Sequence, residues 1–230
     1  MIKEHITKTD KHDNHINILC TDINIDASLI HQRQNERWIG VDRGAEVLLS
    51  YDITPTYMVG DFDSVDCGVK SELIEQGATK LPEDKDLTDL DQALRWCDKN
   101  KFTSVNVYGA TGGRLDHFMS AIELLKYPKR LEEKHSIRMI DDQNVLQMFD
   151  QGKHHIANHF DMKYVSFIQQ SDICTIAIEG FKYNLEKTTL KQGESLTVSN
   201  EFLKETGVLH VYEGLVLVLS LIHISEPTRR

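Results

Sequence analysis

The sequence predicts an α/β protein: an N-terminal, mostly parallel sheet flanked by helices, followed by a smaller all-β domain of sandwich or jelly-roll type. Three observations lead there. Strand-like and helix-like segments alternate from His15 to about Asp141, the pattern of a parallel sheet with helical crossovers. After Asp142 the helical spacing stops, and short runs of β-formers follow, punctuated by Gly152, Gly180, Gly193 and Gly214, as in sandwiches. Finally, 230 residues with 40% apolar content allow one large or two small cores.

The elements follow in order. His15–Cys20 reads as a first strand, with Ile16, Ile18 and Cys20 on alternate positions. Ala27–Gln34 reads as a short helix, Trp38–Val41 as a short strand ending at Asp42, and Gly44–Tyr51 as a helix. Tyr57–Val59 is the next strand and Val69–Gln76 a helix closed by Gly77. Thr88–Asn100 places Leu90, Ala93, Leu94 and Cys97 at helical spacing, with Asp86 and Thr88 as candidate caps. Ser104–Tyr108 is a strand, Leu115–Tyr127 a helix ended by Pro128, and Ile137–Ile140 a strand. In the second part the expected strands are Val145–Phe149, Tyr164–Gln169, Cys174–Glu179, Ser195–Ser199, Gly207–Tyr212 and Leu215–Val218. The expected division is a polar extension over 1–14, an α/β domain over 15–142 and an all-β domain over 143–218. The segment 219–230, Leu-Ser-Leu-Ile-His-Ile-Ser-Glu-Pro-Thr-Arg-Arg, reads like a translated sequencing adaptor and is expected to be non-native.

Composition narrows the function classes. A formal net charge of −10 argues against nucleic acid as the main partner. Cys20, Cys67, Cys97 and Cys174 form no CxxC pair, so no zinc knuckle or redox motif is indicated, and scattered thiols fit a cytoplasmic protein. The first 14 residues lack the apolar core of a signal peptide, and no run reaches membrane-span length.

The chemistry is written in four clusters at strand ends and helix starts. Val59-Gly60-Asp61-Phe62-Asp63-Ser64 carries the strongest signal. On extended backbone, Asp61 and Asp63 point to one side, at a strand's carboxyl end, where α/β sheets bind ligands. Their repulsion is relieved by a divalent cation, and Mg²⁺ takes such carboxylates together with substrate phosphates. The others are Val41-Asp42-Arg43-Gly44-Ala45, Lys85-Asp86-Leu87-Thr88-Asp89 and Gly109-Ala110-Thr111-Gly112-Gly113-Arg114-Leu115-Asp116-His117. Gly109, Gly112 and Gly113 let backbone approach a phosphate, and the helix start after Arg114 favours anions. Each cluster alone has a bland reading: Asp61 and Asp63 as turn or cap residues, the glycines as a plain turn, Asp86 and Asp89 as caps. Asp91 reads as solvated helix surface and Arg43 as one half of an ion pair. His154, His155 and His159 read as surface or turn positions rather than a metal tract, Trp38 and Trp96 as packing, and Cys20 and Cys174 as inert strand residues.

Taken together, the four clusters and Gly193-Glu194-Ser195-Leu196-Thr197-Val198-Ser199-Asn200-Glu201 resemble the thiamine pyrophosphokinase family of bacterial type, from about His15 to Val218. The resemblance implies transfer of pyrophosphate from ATP to the hydroxyl of thiamine, giving thiamine diphosphate and AMP, with Mg²⁺ as cofactor. It implies Asp42, Asp61, Asp63 and Asp89 as catalytic carboxylates, with Asp61, Asp63 and Asp89 as metal ligands, and leaves open which one activates the hydroxyl. ATP and phosphate contacts fall to Lys85, Thr88, Gly109, Thr111, Gly112, Gly113, Arg114, Asp116 and His117, the last two either touching nucleotide or orienting their loop. Ser199, with Asn200 in support, falls to the thiamine ring. The family works as a homodimer with thiamine at the interface, so Ser199 would serve the partner subunit's Asp61. Two other readings are compatible with these clusters: a haloacid-dehalogenase-like phosphatase using Asp61, and a non-catalytic nucleotide- or thiamine-binding module.

Overall fold

The structure is a computed structural model and describes residues 14–62, 68, 75, 79–80, 87–131, 135–158 and 162–222. The chain changes from one compact unit to another between Asp142 and Gln143.

In the first unit, β1 (His15–Leu19), β2 (Trp38–Val41), β3 (Tyr57–Gly60), β4 (Thr79–Lys80), β5 (Ser104–Tyr108) and β6 (Ser136–Ile140) run in the order β6-β5-β1-β2-β3-β4. Every adjacent pair is parallel, with His15 opposite Ser104 and Leu19 opposite Tyr108 at the centre. Strands covered on both faces read as near-continuous apolar runs. Accordingly Ile16, Ile18, Leu19, Ile39, Val41, Met58, Val59, Val105 and Val107 are all buried, each large side chain contributing about 1.5–3 kcal/mol. The sheet centre also buries Asn17 and Asn106. Asn17 donates to the Glu36 carboxylate at 2.7 Å, and Asn106 donates to the Asn17 carbonyl oxygen at 3.3 Å.

Four described helices flank these strands: α1 (Ala27–His31), α2 (Arg43–Ser50), α3 (Asp89–Lys99) and α4 (Leu115–Leu125). The Asp26 side chain caps α1 by accepting from the Ser28 amide at 2.8 Å, and the Thr88 hydroxyl caps α3 by accepting from the Asp91 amide at 3.3 Å. Helices α3 and α4 bury Ala93, Leu94 and Cys97 and Ala121, Ile122 and Leu125. Pro128 cannot continue a helix, and Pro128–Leu131 forms a 3₁₀ turn. Trp38 is buried, and Trp96 stacks between Tyr57 and Phe102. Asp91 is not on a solvated surface: it is 7% exposed, and its carboxylate pairs with Arg95 at 3.1 Å and Arg130 at 3.5 Å. The helix expected over Val69–Gln76 lies outside the described residues, apart from Glu75, which is helical.

The second unit holds β7 (Asn144–Phe149), β8 (Gly152–Ala157), β9 (Tyr164–Gln169), β10 (Ile173–Glu179), β11 (Leu185–Lys191), β12 (Asn200–Glu201), β13 (Thr206–Glu213) and β14 (Val216–Leu221). They form two antiparallel layers, β12-β9-β14-β7 and β11-β10-β13-β8. Alternate residues of both layers meet in one core, with Val165, Phe167, Val216 and Val218 against Ile176, Ile178, Leu209 and Val211. This is sandwich packing.

Three expectations for this unit need correction. Ser195–Ser199 is not a strand but a run of turns. Only Thr197 points inward: its hydroxyl donates to the Phe167 carbonyl, its own carbonyl accepts from the Phe167 amide, and Ser199 (φ 60°) then breaks the extended path. Strands β8 and β11 escaped notice because each buries a single apolar residue, Ile156 and Leu190. Strand β14 continues to Leu221, past the expected end at Val218, pairing Leu219–Leu221 with both β7 and β9.

Candidate active site

In the sheet order, β2 to β4 lie on one side of β1, and β5 and β6 lie on the other. Such a reversal opens a crevice beyond the carboxyl ends of the strands, where α/β sheets bind ligands. A cleft of about 260 Å³ opens there. Cys20 and Thr21 follow β1 in it, Asp42 follows β2, and Gly109, Ala110 and Gly112 follow β5. Thr88 and Asp89 enter from the start of α3, Arg114 and His117 from the start of α4, and Ser120, Ala121 and Leu124 complete the α4 wall.

The acidic side is held by strained backbone. Asp42 has φ 48° and ψ −122°, a conformation costing about 1–3 kcal/mol for a non-glycine residue. Its amide donates to the Val59 carbonyl at 3.0 Å, and its carboxylate lies so close to Gly60 that a Cβ there would sit 2.0 Å from Oδ1. Only glycine permits that approach. Asp61 comes next, half-buried, followed by Phe62, fully buried at φ 56° against Ala45 and Met58. The Phe62 ring thus anchors the turn that carries Asp61. Arg43 pairs with Asp22 at 3.5 Å.

The glycine-rich side is tied from below. Gly109 has φ 72°, and a Cβ on it would sit 2.1 Å from the Thr21 carbonyl oxygen, so the loop after β5 packs directly on the loop after β1. The Thr111 hydroxyl donates to the buried Asp141 carboxylate at 2.5 Å, so this side chain anchors the loop. Arg114 and Asp116, both exposed, form a bidentate pair at 3.1 and 2.6 Å. The guanidinium holds the Asp116 carboxyl below its ordinary range, and the carboxylate raises Arg114. Asp116 also accepts from the His117 amide at 3.0 Å. Gly113 (φ 80°) has open space where a Cβ would be.

Cys20 reports the electrostatics of the cleft. Burial, then the negative charges of Asp42 and Asp89, push its thiol up to about 12. Two carboxylates from different elements therefore act at one point. Asp63, Lys85 and Asp86 lie outside the described residues, and among those described no three acidic, histidine or cysteine side chains form a ready metal-binding group.

In the second unit Ser199 is exposed, and its amide donates to the Ser166 hydroxyl at 3.0 Å. Asn200 is 4% exposed and fully engaged: its oxygen accepts from the Tyr183 and Glu201 amides at 2.9 Å each, and its nitrogen donates to the Tyr183 carbonyl at 2.7 Å. It holds a turn beside a hollow of about 140 Å³ lined by Tyr183, Leu196 and Val198. Sequence reasoning missed Cys20 as a cleft residue, together with Thr21 and Asp141. The signal was their place at strand ends, Cys20 and Thr21 after β1 and Asp141 immediately after β6.

Comparison with known proteins matches both halves. Residues 30–140 match the thiamin pyrophosphokinase catalytic domain, and residues 153–216 match the thiamin pyrophosphokinase vitamin B1 binding domain. A thiamine pyrophosphokinase of Bacillus subtilis (strain 168) is 38% identical over 186 residues, covering 79% of this chain and 86% of that protein. Among solved structures, a Bacillus subtilis thiamine pyrophosphokinase superposes with a TM-score of 0.81 at 32% identity, covering 91% of this chain and all of the other. One from Geobacillus thermodenitrificans gives 0.79 at 30% identity over 92% of this chain and 99% of the other. The yeast enzyme, at 14% identity and a TM-score of 0.74, shares the fold. The haloacid-dehalogenase alternative finds no support in these matches. With its catalytic and vitamin-binding halves both matched, the chain belongs to the thiamine pyrophosphokinase family.

Proposed function

We propose that this protein transfers the pyrophosphoryl group of ATP to the hydroxyl of thiamine, releasing AMP and thiamine diphosphate. The observation that carries this reading is the convergence of Asp42, Asp89, Gly109, Gly112, Arg114 and His117 on one cleft at the sheet's reversal point. Pyrophosphoryl transfer needs little covalent chemistry from the protein and rests on positioning and charge neutralisation. Loop 109–114 and the first amides of α4 suit the phosphates. Asp42 and the turn carrying Asp61 suit the acidic side.

The donor set fits a hard cation: carboxylate oxygens from separate elements, with Asp42 and Asp89 on the same cleft. Mg²⁺ would be held by Asp61, Asp63 and Asp89, and neutralisation of phosphate charge is the chemistry it supplies there. In that arrangement Thr88 and Lys85 attend the nucleotide, Thr111 and Asp116 hold the loop, and Ser199 attends the thiamine ring. The homodimer that the family resemblance implies is supported by large exposed apolar side chains, Leu115 at 77% on α4 and Leu196 at 63%, and its test is the mass in solution. Action in the cytoplasm is consistent with the free thiols of Cys20, Cys97 and Cys174.

Product analysis with ATP, Mg²⁺ and thiamine tests the reading. Equal amounts of AMP and thiamine diphosphate are expected, abolished by EDTA. ADP with thiamine monophosphate would place the attack at the γ-phosphorus and overturn it. Binding of both substrates without AMP would favour a non-catalytic module.

A further inference from the structure

Arg130, in the 3₁₀ turn after α4, has a side chain only 2% exposed. Its guanidinium reaches two helices. One terminal nitrogen donates to the Leu124 carbonyl of α4 at 2.8 Å. The other donates to the carboxylates of Asp91 and Asp98 on α3, at 3.5 and 3.3 Å. The same group stands 5.0 Å from the Tyr127 ring centroid. Both partner helices are walls of the cleft, α3 through Thr88 and Asp89 and α4 through His117, Ser120 and Leu124. The ties are short: Leu124 itself lines the cleft, and the Asp91 amide donates to the Thr88 hydroxyl.

A buried ion cluster is weak support for stability, because desolvation offsets the attraction. A planar fork spanning three partners on two elements does something a packed methionine does not, which is to fix one geometry. We propose that Arg130 is a positioning residue that sets the spacing of α3 and α4, and through it the placement of Asp89 and Thr88 against the α4 side of the nucleotide cleft. It touches no substrate; it acts through Asp91 and Leu124. This inference rests on the pyrophosphokinase reading above.

The test compares wild type, Arg130→Met and Arg130→Lys in the AMP-forming assay, each corrected for folded fraction by circular dichroism. Arg130→Met keeps the stem length and removes the fork. The expected result is a KM for ATP raised about tenfold and a lower kcat, with the KM for thiamine within about twofold. Arg130→Lys, which restores the charge without the fork, recovers only part of the loss. Should Arg130→Met fail to fold, Asp98→Asn carries the test and is expected to raise the KM for ATP by about threefold. Activity lost only in proportion to the unfolded fraction, with both KM values unchanged, overturns the proposal, as does an unchanged KM for ATP in folded Arg130→Met or, where that does not fold, in Asp98→Asn. A wild-type protein that forms no AMP sinks the parent reading instead, so the two failures are distinct.

Discussion

At the scale of single residues, the cleft shows how one thiol can line a pocket without being reactive. Cys20 lines the cleft between strand ends, yet burial first and the charges of Asp42 and Asp89 second push its pKa up to about 12. The thiolate is the nucleophile, so a thiol whose pKa is raised this far is held protonated and unreactive at pH 8. The expected outcome is that iodoacetamide leaves Cys20 unmodified at pH 8 over times that label an exposed thiol completely, by peptide mass mapping. The sign follows from the charges: replacing Asp42 or Asp89 by Asn removes negative charge, lowers the Cys20 pKa and speeds labelling. Rapid labelling of the wild-type residue would mean that its thiol is not shielded by burial. The same residue scale explains the engaged side chains of Thr111 and Asn200. Both are bonded to the protein's own groups, so each shapes a loop before it can meet a ligand.

At the scale of elements, β14 sits between β7 and β9 and pairs with both along its whole length. Leu219, Ser220 and Leu221 take part, and the Leu221 carbonyl also accepts from the Lys163 amide at 3.0 Å. Ending the chain after Val218 would strip both ladders of these residues. At about 0.5–1.5 kcal/mol per hydrogen bond, several such losses amount to a few kcal/mol, or a melting midpoint lower by about 5–10 °C for a chain of this size. Scanning calorimetry of the truncated chain checks this, and an unchanged midpoint would show that the β14 pairing ends at Val218. Strand β14 also marks what periodicity can and cannot reveal. Trp38–Val41, Ser104–Tyr108 and Tyr164–Gln169 were legible because their side chains are buried without interruption or on a clear face. Strands β8 and β11 were not, since antiparallel neighbours, rather than their own composition, hold them. Ser195–Ser199 alternates like a strand, yet its apolar residues, Leu196 and Val198, are exposed and only Thr197 is buried. The site divides the same way. Asp42, Asp89, Gly109 and Gly112 sit where a strand ends or a helix starts, a local signal. Cys20 and Asp141 also follow strand ends, whereas Arg130 matters only through partners on two other elements.

At the scale of the whole molecule, the two units differ in what reports on them. The chain has two tryptophans, Trp38 and Trp96, and both belong to the α/β unit. Trp38 is buried, with its indole N–H donating to the Arg33 carbonyl at 3.0 Å, and Trp96 lies on α3, the helix that brings Asp89 to the cleft. Tryptophan emission therefore follows the unfolding of the α/β unit alone. A ligand that binds only the folded state stabilises it by RT ln(1 + [L]/Kd), about 2.7 kcal/mol at a hundredfold excess over Kd. For a unit of this size that is a rise of about 5–10 °C in midpoint. ATP in millimolar amounts should shift the tryptophan-detected melt by that much, whereas adenosine, which lacks the phosphates that loop 109–114 would hold, should shift it far less. A midpoint unmoved by ATP would remove the cleft from the nucleotide site. An equal shift with adenosine would mean that the glycine loop and the α4 amides contribute no binding energy, and that the phosphates reside elsewhere.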